Sequence, residues 1–203
     1  MKKQNRMGDK VCGHQNAFML DNWFRRLLQN PARILRHWIK KGDHVMDVGC
    51  GPGFFSIEMA RKVGEQGAVI AADLQVEMLD MVKGKADKHE LSERMVYHRC
   101  MPDRIGLDEG VGLDFILAYY MVHETPDPTV FLLEMKRYLK ADGKILIVEP
   151  RFHVNRRAFE KLIALVKESG YTILEQPRNI GGRALLLGLG SAITGDSTKA
   201  EYS

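Results

Sequence analysis

The chain has 203 residues, with 45% hydrophobic and 28% charged side chains, which suits one globular α/β domain around a single core. A net charge of +4, with Lys and Arg interspersed rather than in blocks, argues against a nucleic-acid groove. No apolar run is long enough to span a membrane, and the basic start MKKQNRMGDK leads into no apolar segment, so a cytoplasmic protein is expected.

The apolar spacing of Ile34, Leu35, Trp38 and Ile39 predicts an amphipathic helix over 32–39. Lys41-Gly42-Asp43 then turns the chain into a strand that ends at Val48. Phe54, Phe55, Ile57, Met59, Ala60 and Val63 mark a second helix, which stops near Gly64 and Gly67. AVIAADL, 68–74, is short, apolar and without alternation, as expected of a strand buried on both faces. A helix starts at 76–82. Strands follow over 94–100 and 113–121, then a helix over 127–139 and a strand over 143–150. Asn155 can cap a helix carrying Phe159, Leu162, Ile163 and Val166. The last strands, 171–176 and 183–189, have too short a link for a parallel crossover and form an antiparallel pair. Strand and helix alternate throughout, so the expected fold is a doubly wound, mostly parallel α/β sheet. Its ligand belongs beyond the carboxyl ends of the strands. The tail, 191–203, is polar and unpatterned.

The stretch HVMDVGCGPGFF carries the most information. Gly49, Gly51 and Gly53 follow the first strand, and glycine frees a backbone to take positive φ and to let a ligand approach closely. The dinucleotide fingerprint is GxGxxG, whereas here the spacing is GxGxG, with Phe54 in place of the last glycine. Asp47 just before the turn would repel a pyrophosphate and welcome a cationic amine. Asp73 ends the second strand, where a carboxylate can accept hydrogen bonds from ribose hydroxyls; the plainer role is capping the following helix.

VMDVGCGPG followed by VIAADLQVEML resembles the first two motifs of class I S-adenosylmethionine-dependent methyltransferases, most closely the ubiquinone/menaquinone biosynthesis branch. LDFILAYYMVHETPDP and LKADGKILIVEP are similar to that family's fourth and fifth strands with their following loops. The resemblance implies a seven-stranded sheet with an antiparallel last strand. It divides the chain into an N-terminal segment, 1–40, that folds over the site, a cofactor-binding domain, 41–190, and the tail. It also implies S-adenosylmethionine as cofactor. Gly49, Gly51, Gly53 and Ala118 would lie against its methionine portion and ribose, Asp47 on its amino group, Asp73 on the ribose hydroxyls, and Leu74 and Met78 over the adenine. The family has an acidic and then a small residue after the third strand, where this chain has Met101-Pro102. Backbone groups near Met101, or a shifted Asp103, then read the adenine.

Methyl transfer from a sulfonium draws much of its rate from positioning, which can contribute about 7–11 kcal/mol, so a dedicated base is needed only for a protonated acceptor. His123, past the fourth strand, is the leading catalytic candidate; alternatively it fixes its loop, paired with Glu124. His153, past the fifth strand, is the second candidate, or else a surface residue. Glu149 can pair with either histidine. From an extended strand only one of Tyr119 and Tyr120 can face the cleft. His14, Asp21 and Arg26 of the N-terminal segment would touch the cofactor or acceptor if that segment closes. Cys12, Cys50 and Cys100 suggest buried thiols in a reducing compartment rather than disulfides, zinc or arsenic chemistry, and no metal is expected. The acceptor is expected to be a small molecule, because little sequence separates the fourth and fifth strands from their helices. A nicotinamide oxidoreductase and a non-catalytic cofactor-binding domain are the rival readings.

Overall fold

The central strands are apolar at successive positions because both of their faces are covered. The computed structural model describes residues 30–190 except 109, 179 and 180, so the segments 1–29 and 191–203 lie outside the described residues. With them lie the expectations for a closing N-terminal segment, for His14, Asp21, Arg26 and Cys12, and for the tail. Seven strands form one sheet: β1 (His44–Val48), β2 (Ala68–Asp73), β3 (Met95–Arg99), β4 (Leu113–Tyr119), β5 (Leu139–Glu149), β6 (Tyr171–Glu175) and β7 (Arg183–Leu189). Their order is β3-β2-β1-β4-β5-β7-β6. All neighbours pair in parallel except β7, which runs antiparallel to both β5 and β6. This is the sheet expected from the sequence.

Alternation along each strand divides the core into two layers. On β4, Phe115, Leu117 and Tyr119 enter one layer while Ile116 and Ala118 enter the other. The first layer packs under α1 (Pro31–Leu35), α2 (Ser56–Val63) and α3 (Val76–Lys88); the second packs under α4 (Pro128–Tyr138) and α5 (Arg156–Glu168). Local chemistry sets the helix starts. Asp127 accepts from the Thr129 N–H at 2.8 Å, with Pro128 as the first residue of α4. Asn155 accepts from the Ala158 N–H at 2.9 Å at the head of α5.

Several boundaries differ from the sequence expectation, and three of the differences have a clear physical cause. α1 stops at Leu35 instead of reaching Ile39, because the Asp43 carboxylate takes the Lys40 N–H at 2.7 Å and turns the chain toward β1. Ile34, Leu35 and Ile39 nevertheless enter the core beside α2, so residues 30–40 pack with the sheet. β5 begins at Leu139, the residue that the helical periodicity assigns to α4, because Leu139 pairs with Leu113 across an irregularity in the β4–β5 ladder. β4 ends at Tyr119 rather than at Met121, because Tyr120 adopts a φ of 63° and leaves the strand.

Candidate active site

β1 and β4 are neighbours although two strands and two helices separate them in sequence, and a cleft of about 390 Å³ opens beyond their carboxyl ends. The glycine turn forms one wall. Gly49, Gly51 and Gly53 all have positive φ, of 68°, 51° and 82°. The turn is pinned to the end of β2: the Gly49 and Cys50 N–H groups both donate to the Ala72 carbonyl, and the Gly51 N–H donates to Asp73 Oδ2 at 2.8 Å. Asp73 Oδ1 accepts from the Gln75 N–H at 2.9 Å, so this carboxylate also supports the entry to α3. Lys85 of α3 donates to the Pro52 carbonyl at 2.7 Å, and Ser56 Oγ donates to Asp47 Oδ2 at 2.5 Å. Glycines and acids therefore occur together because each acid anchors the turn or the helix that follows it.

The cleft fits the cofactor that the sequence implies. A Cβ on Gly51 would meet no protein atom within 4 Å, so that face of the turn is open for a close approach. Asp47 is 2% exposed and Asp73 8% exposed, and both line the cleft. An ionised carboxylate offers about four acceptor sites, more than the backbone N–H donors that Asp73 receives here, so Asp73 keeps capacity for hydroxyl donors. Burial pushes its carboxyl upward, against the pull of the backbone N–H groups of Gln75, Gly51 and Leu74. Glu124, also at the cleft, is pushed up mainly by burial, against the pull of His123, with smaller upward contributions from Glu149 and Asp73. Such a cluster of carboxylates favours a cationic ligand and disfavours a pyrophosphate, so the nicotinamide reading is not favoured.

Of the residues singled out in the sequence, Asp47, Gly49, Gly51, Asp73, Leu74, Met78, Met101, Pro102, His123 and His153 line the cleft. Gly53 and Ala118 do not. A Cβ on Gly53 would meet Val82 Cγ2 at 3.0 Å, so its role is close packing of α3 on the turn. Ala118 is fully buried in the second core layer. In the loop after β3, the Met101 N–H donates to the Arg104 carbonyl, whereas Asp103 lies exposed at the cleft. The loop is held from beneath by Glu134 of α4, which is buried and accepts from the N–H groups of Ile105 at 2.6 Å and Gly106 at 2.7 Å. Tyr138 Oη lies 2.8 Å from the same carboxylate and is pushed up to about 12 by burial and by Glu134. Glu134 was not visible in the sequence: it reads as a polar position of an amphipathic helix, and its partners are 28 and 29 residues away.

The opposite end of the cleft is aromatic. Phe55 and Tyr119 have ring centroids 4.4 Å apart, and so do Tyr119 and Tyr120. Phe152 stands 6.4 Å from Tyr120 and 4.6 Å from His153, which lies 5.5 Å from His123. Both tyrosines line the cleft, contrary to strand alternation, because the left-handed backbone at Tyr120 swings its ring onto that of Tyr119. His123 pairs with Glu149 rather than with Glu124: Nδ1 lies 2.5 Å from Glu149 Oε2, and this hydrogen bond raises the imidazole, outweighing its partial burial. Cys50 is buried and its thiol is pushed well up by burial; Cys100 is pushed up to about 12 by burial, with Asp73 and Glu134 adding to it. Neither is a ready thiolate. Among the described residues no cluster of three His, Cys, Asp or Glu side chains could hold a metal ion, and no helix is long and apolar enough to cross a membrane.

Known proteins agree with this geometry. The family described as "Methyltransferase domain" matches residues 39–181. Demethylmenaquinone methyltransferase of Oceanobacillus iheyensis is 29% identical over 111 residues, which cover 55% of this chain and 46% of that protein. The chain spans about half the length of the curated relatives it matches. The crystal structure of an S-adenosylmethionine-dependent methyltransferase from Aquifex aeolicus superposes with a TM-score of 0.75 at 25% identity, over 87% of this chain and 97% of that one. The [4+2]-cyclase SpnF shares the fold, with a TM-score of 0.61 at 20% identity over 75% of this chain and 59% of that one. With the family covering most of the described sheet and the acid–glycine turn in place, the chain belongs to the methyltransferase domain family and has the class I fold whose cofactor is S-adenosylmethionine.

Proposed function

We propose that the chain transfers a methyl group to a small, flat aromatic acceptor. The observation that carries this reading is the meeting, in one cleft, of the acid-anchored glycine turn and the ladder of rings from Phe55 to His153. S-adenosylmethionine, when bound, supplies an electrophilic methyl group on a sulfonium. Asp47 receives its amino group, the Gly49–Gly51 backbone lies along its methionine portion, and Asp73 receives the ribose hydroxyls. Leu74 and Met78 cover the adenine, and Asp103, an exposed carboxylate at the cleft, takes its amino group. The faces of Tyr119 and Tyr120 hold a planar acceptor by offset stacking and favour a neighbouring cation by about 0.5–2 kcal/mol.

Only short links separate β4 from α4 and β5 from α5, so no cap is inserted over this end, which suits a small molecule. A quinone is a flat acceptor of this kind, and the curated relatives are named for one. Calorimetry with S-adenosylhomocysteine and with NAD, followed by transfer of labelled methyl to a panel of hydroxylated aromatics, tests the reading. The expected result is binding of S-adenosylhomocysteine alone and transfer to at least one ring. Binding of NAD alone would return the oxidoreductase. Cofactor binding with no transfer to any ring would leave a binding module.

A further inference from the structure

Nothing in cofactor binding uses the pair His123 and Glu149. Glu149, the last residue of β5, is 1% exposed. Its Oε2 receives His123 Nδ1 at 2.5 Å, and its Oε1 has no hydrogen-bond partner among the described residues. A carboxylate buried this deeply is costly unless it is paired and hydrogen-bonded, and His123 is the partner of Oε2. With Nδ1–H donating to Glu149, the neutral imidazole is held in the tautomer that leaves Nε2 as a free acceptor. His123 lines the cleft beside the aromatic ladder and also lines a second groove of about 430 Å³, which Glu149 borders as well.

We propose that His123 is the proton acceptor of the reaction and Glu149 its positioning residue, so that the acceptor carries a proton on its reacting atom, as an aromatic hydroxyl does. This rests on the methyl-transfer reading above. The acceptor O–H bond breaks, the proton forms an N–H bond at Nε2, and the electron pair stays on oxygen. That pair then bonds the methyl carbon as the S–C bond breaks and its electrons return to sulfur. The imidazolium is stabilised by Glu149 across Nδ1 and releases its proton to solvent, for which the second groove offers a route away from the methyl-transfer end. Besides Glu149, the titratable groups facing His123 are Glu124 beside it, His153 from the loop after β5, and Lys161 and Glu168 of α5 around the groove. The carboxylates of Glu149 and Glu124 both raise the imidazole. A tertiary amine or a thioether has no proton to give and would leave this pair without a task.

The test uses 4-nitrophenol, a flat probe whose ionisation is read by colour, with protein saturated in S-adenosylhomocysteine at a pH below the probe's own ionisation. The bound probe should show the phenolate band in the wild type and stay neutral in both Glu149→Gln and His123→Ala, with Glu149→Asp restoring part of the band. Cofactor affinity should be unchanged in all three variants, which separates loss of the proton acceptor from loss of fold. A wild-type protein that leaves the probe neutral or fails to bind it, or a Glu149→Gln variant that keeps the phenolate band, overturns the proposal. Failure of the wild type to bind S-adenosylhomocysteine would instead overturn the methyl-transfer reading.

Discussion

Replacing Asp73 by Ala separates its two tasks. The substitution removes the acceptor for the Gly51 N–H at 2.8 Å and for the Gln75 N–H at 2.9 Å. Hydrogen bonds to a charged group contribute about 1.5–3 kcal/mol each. Their loss is partly offset because a buried carboxylate, itself costly enough to be pushed upward, disappears with them. The expected net loss of folding stability is about 1–3 kcal/mol, read by urea denaturation. The sign with pH follows from the direction of the shift. Because the folded carboxyl is raised above its unfolded value, its titration favours the fold at low pH, and that contribution fades as pH rises through the folded value. The stability gap between wild type and Asp73→Ala should therefore narrow from acid toward neutral pH. Affinity for S-adenosylhomocysteine should fall by at least about tenfold, or 1.4 kcal/mol, in calorimetry near neutral pH. A stability loss with unchanged affinity would reduce Asp73 to a cap for α3. If both stay unchanged, the coupling of turn and strand described here is wrong.

Glu134→Gln places an amide NH₂ against one of the N–H groups of Ile105 and Gly106; an orphaned buried donor costs about 1–3 kcal/mol, so denaturation should show a loss in that range, with hydrogen exchange rising at 105–107. Gly51→Ala meets no atom but imposes a side chain at a φ of 51°, which costs about 1–2 kcal/mol. Because the added methyl occupies the open face of the turn, calorimetry should show a larger loss in cofactor affinity than in stability. Gly53→Ala, crowded by Val82, should show the reverse, and equal behaviour of the two variants would contradict the separate roles assigned to them.

The sheet and the cofactor wall were legible in the sequence because backbone geometry dictates residue type there. Three left-handed positions at alternate residues demand glycine, and a carboxylate at the end of β2 serves both the Gly51 N–H and the start of α3, so the acid and the glycines appear as one pattern. The opposite end was less legible for two physical reasons. Tyr120 takes a conformation that an aromatic residue rarely adopts, held by its N–H on the Val148 carbonyl and by its hydroxyl on the Gly181 carbonyl, and no local pattern announces it. The partners of His123 and Glu134 lie 26 to 29 residues away, across strands whose pairing only the folded sheet establishes. Gly53 shows the converse: its identity was plain, but whether it meets a ligand or a helix depends on Val82.

This division between legible and illegible parts also locates the chemistry. The turn and its acids are fixed by the needs of one cofactor, so they constrain the acceptor very little. On the proposed reading, acceptor selection lies in segments that the cofactor does not dictate, and among the described residues at the cleft these are the loops after β4 and β5. Both loops place aromatic rings and titratable groups toward the same end of the cleft: Tyr120, His123 and Glu124 from one, Phe152 and His153 from the other. The loop after β4 is bound to the end of β5 by the His123–Glu149 hydrogen bond and by the Tyr120 N–H on Val148, and its Tyr120 and His123 rings stand against Phe152 and His153 of the other loop. A substitution of Tyr120 or Phe152 therefore disturbs both the stacking surface and the placement of the proton acceptor. Acceptor choice and proton removal should be lost together in such variants, while cofactor binding at the far wall persists.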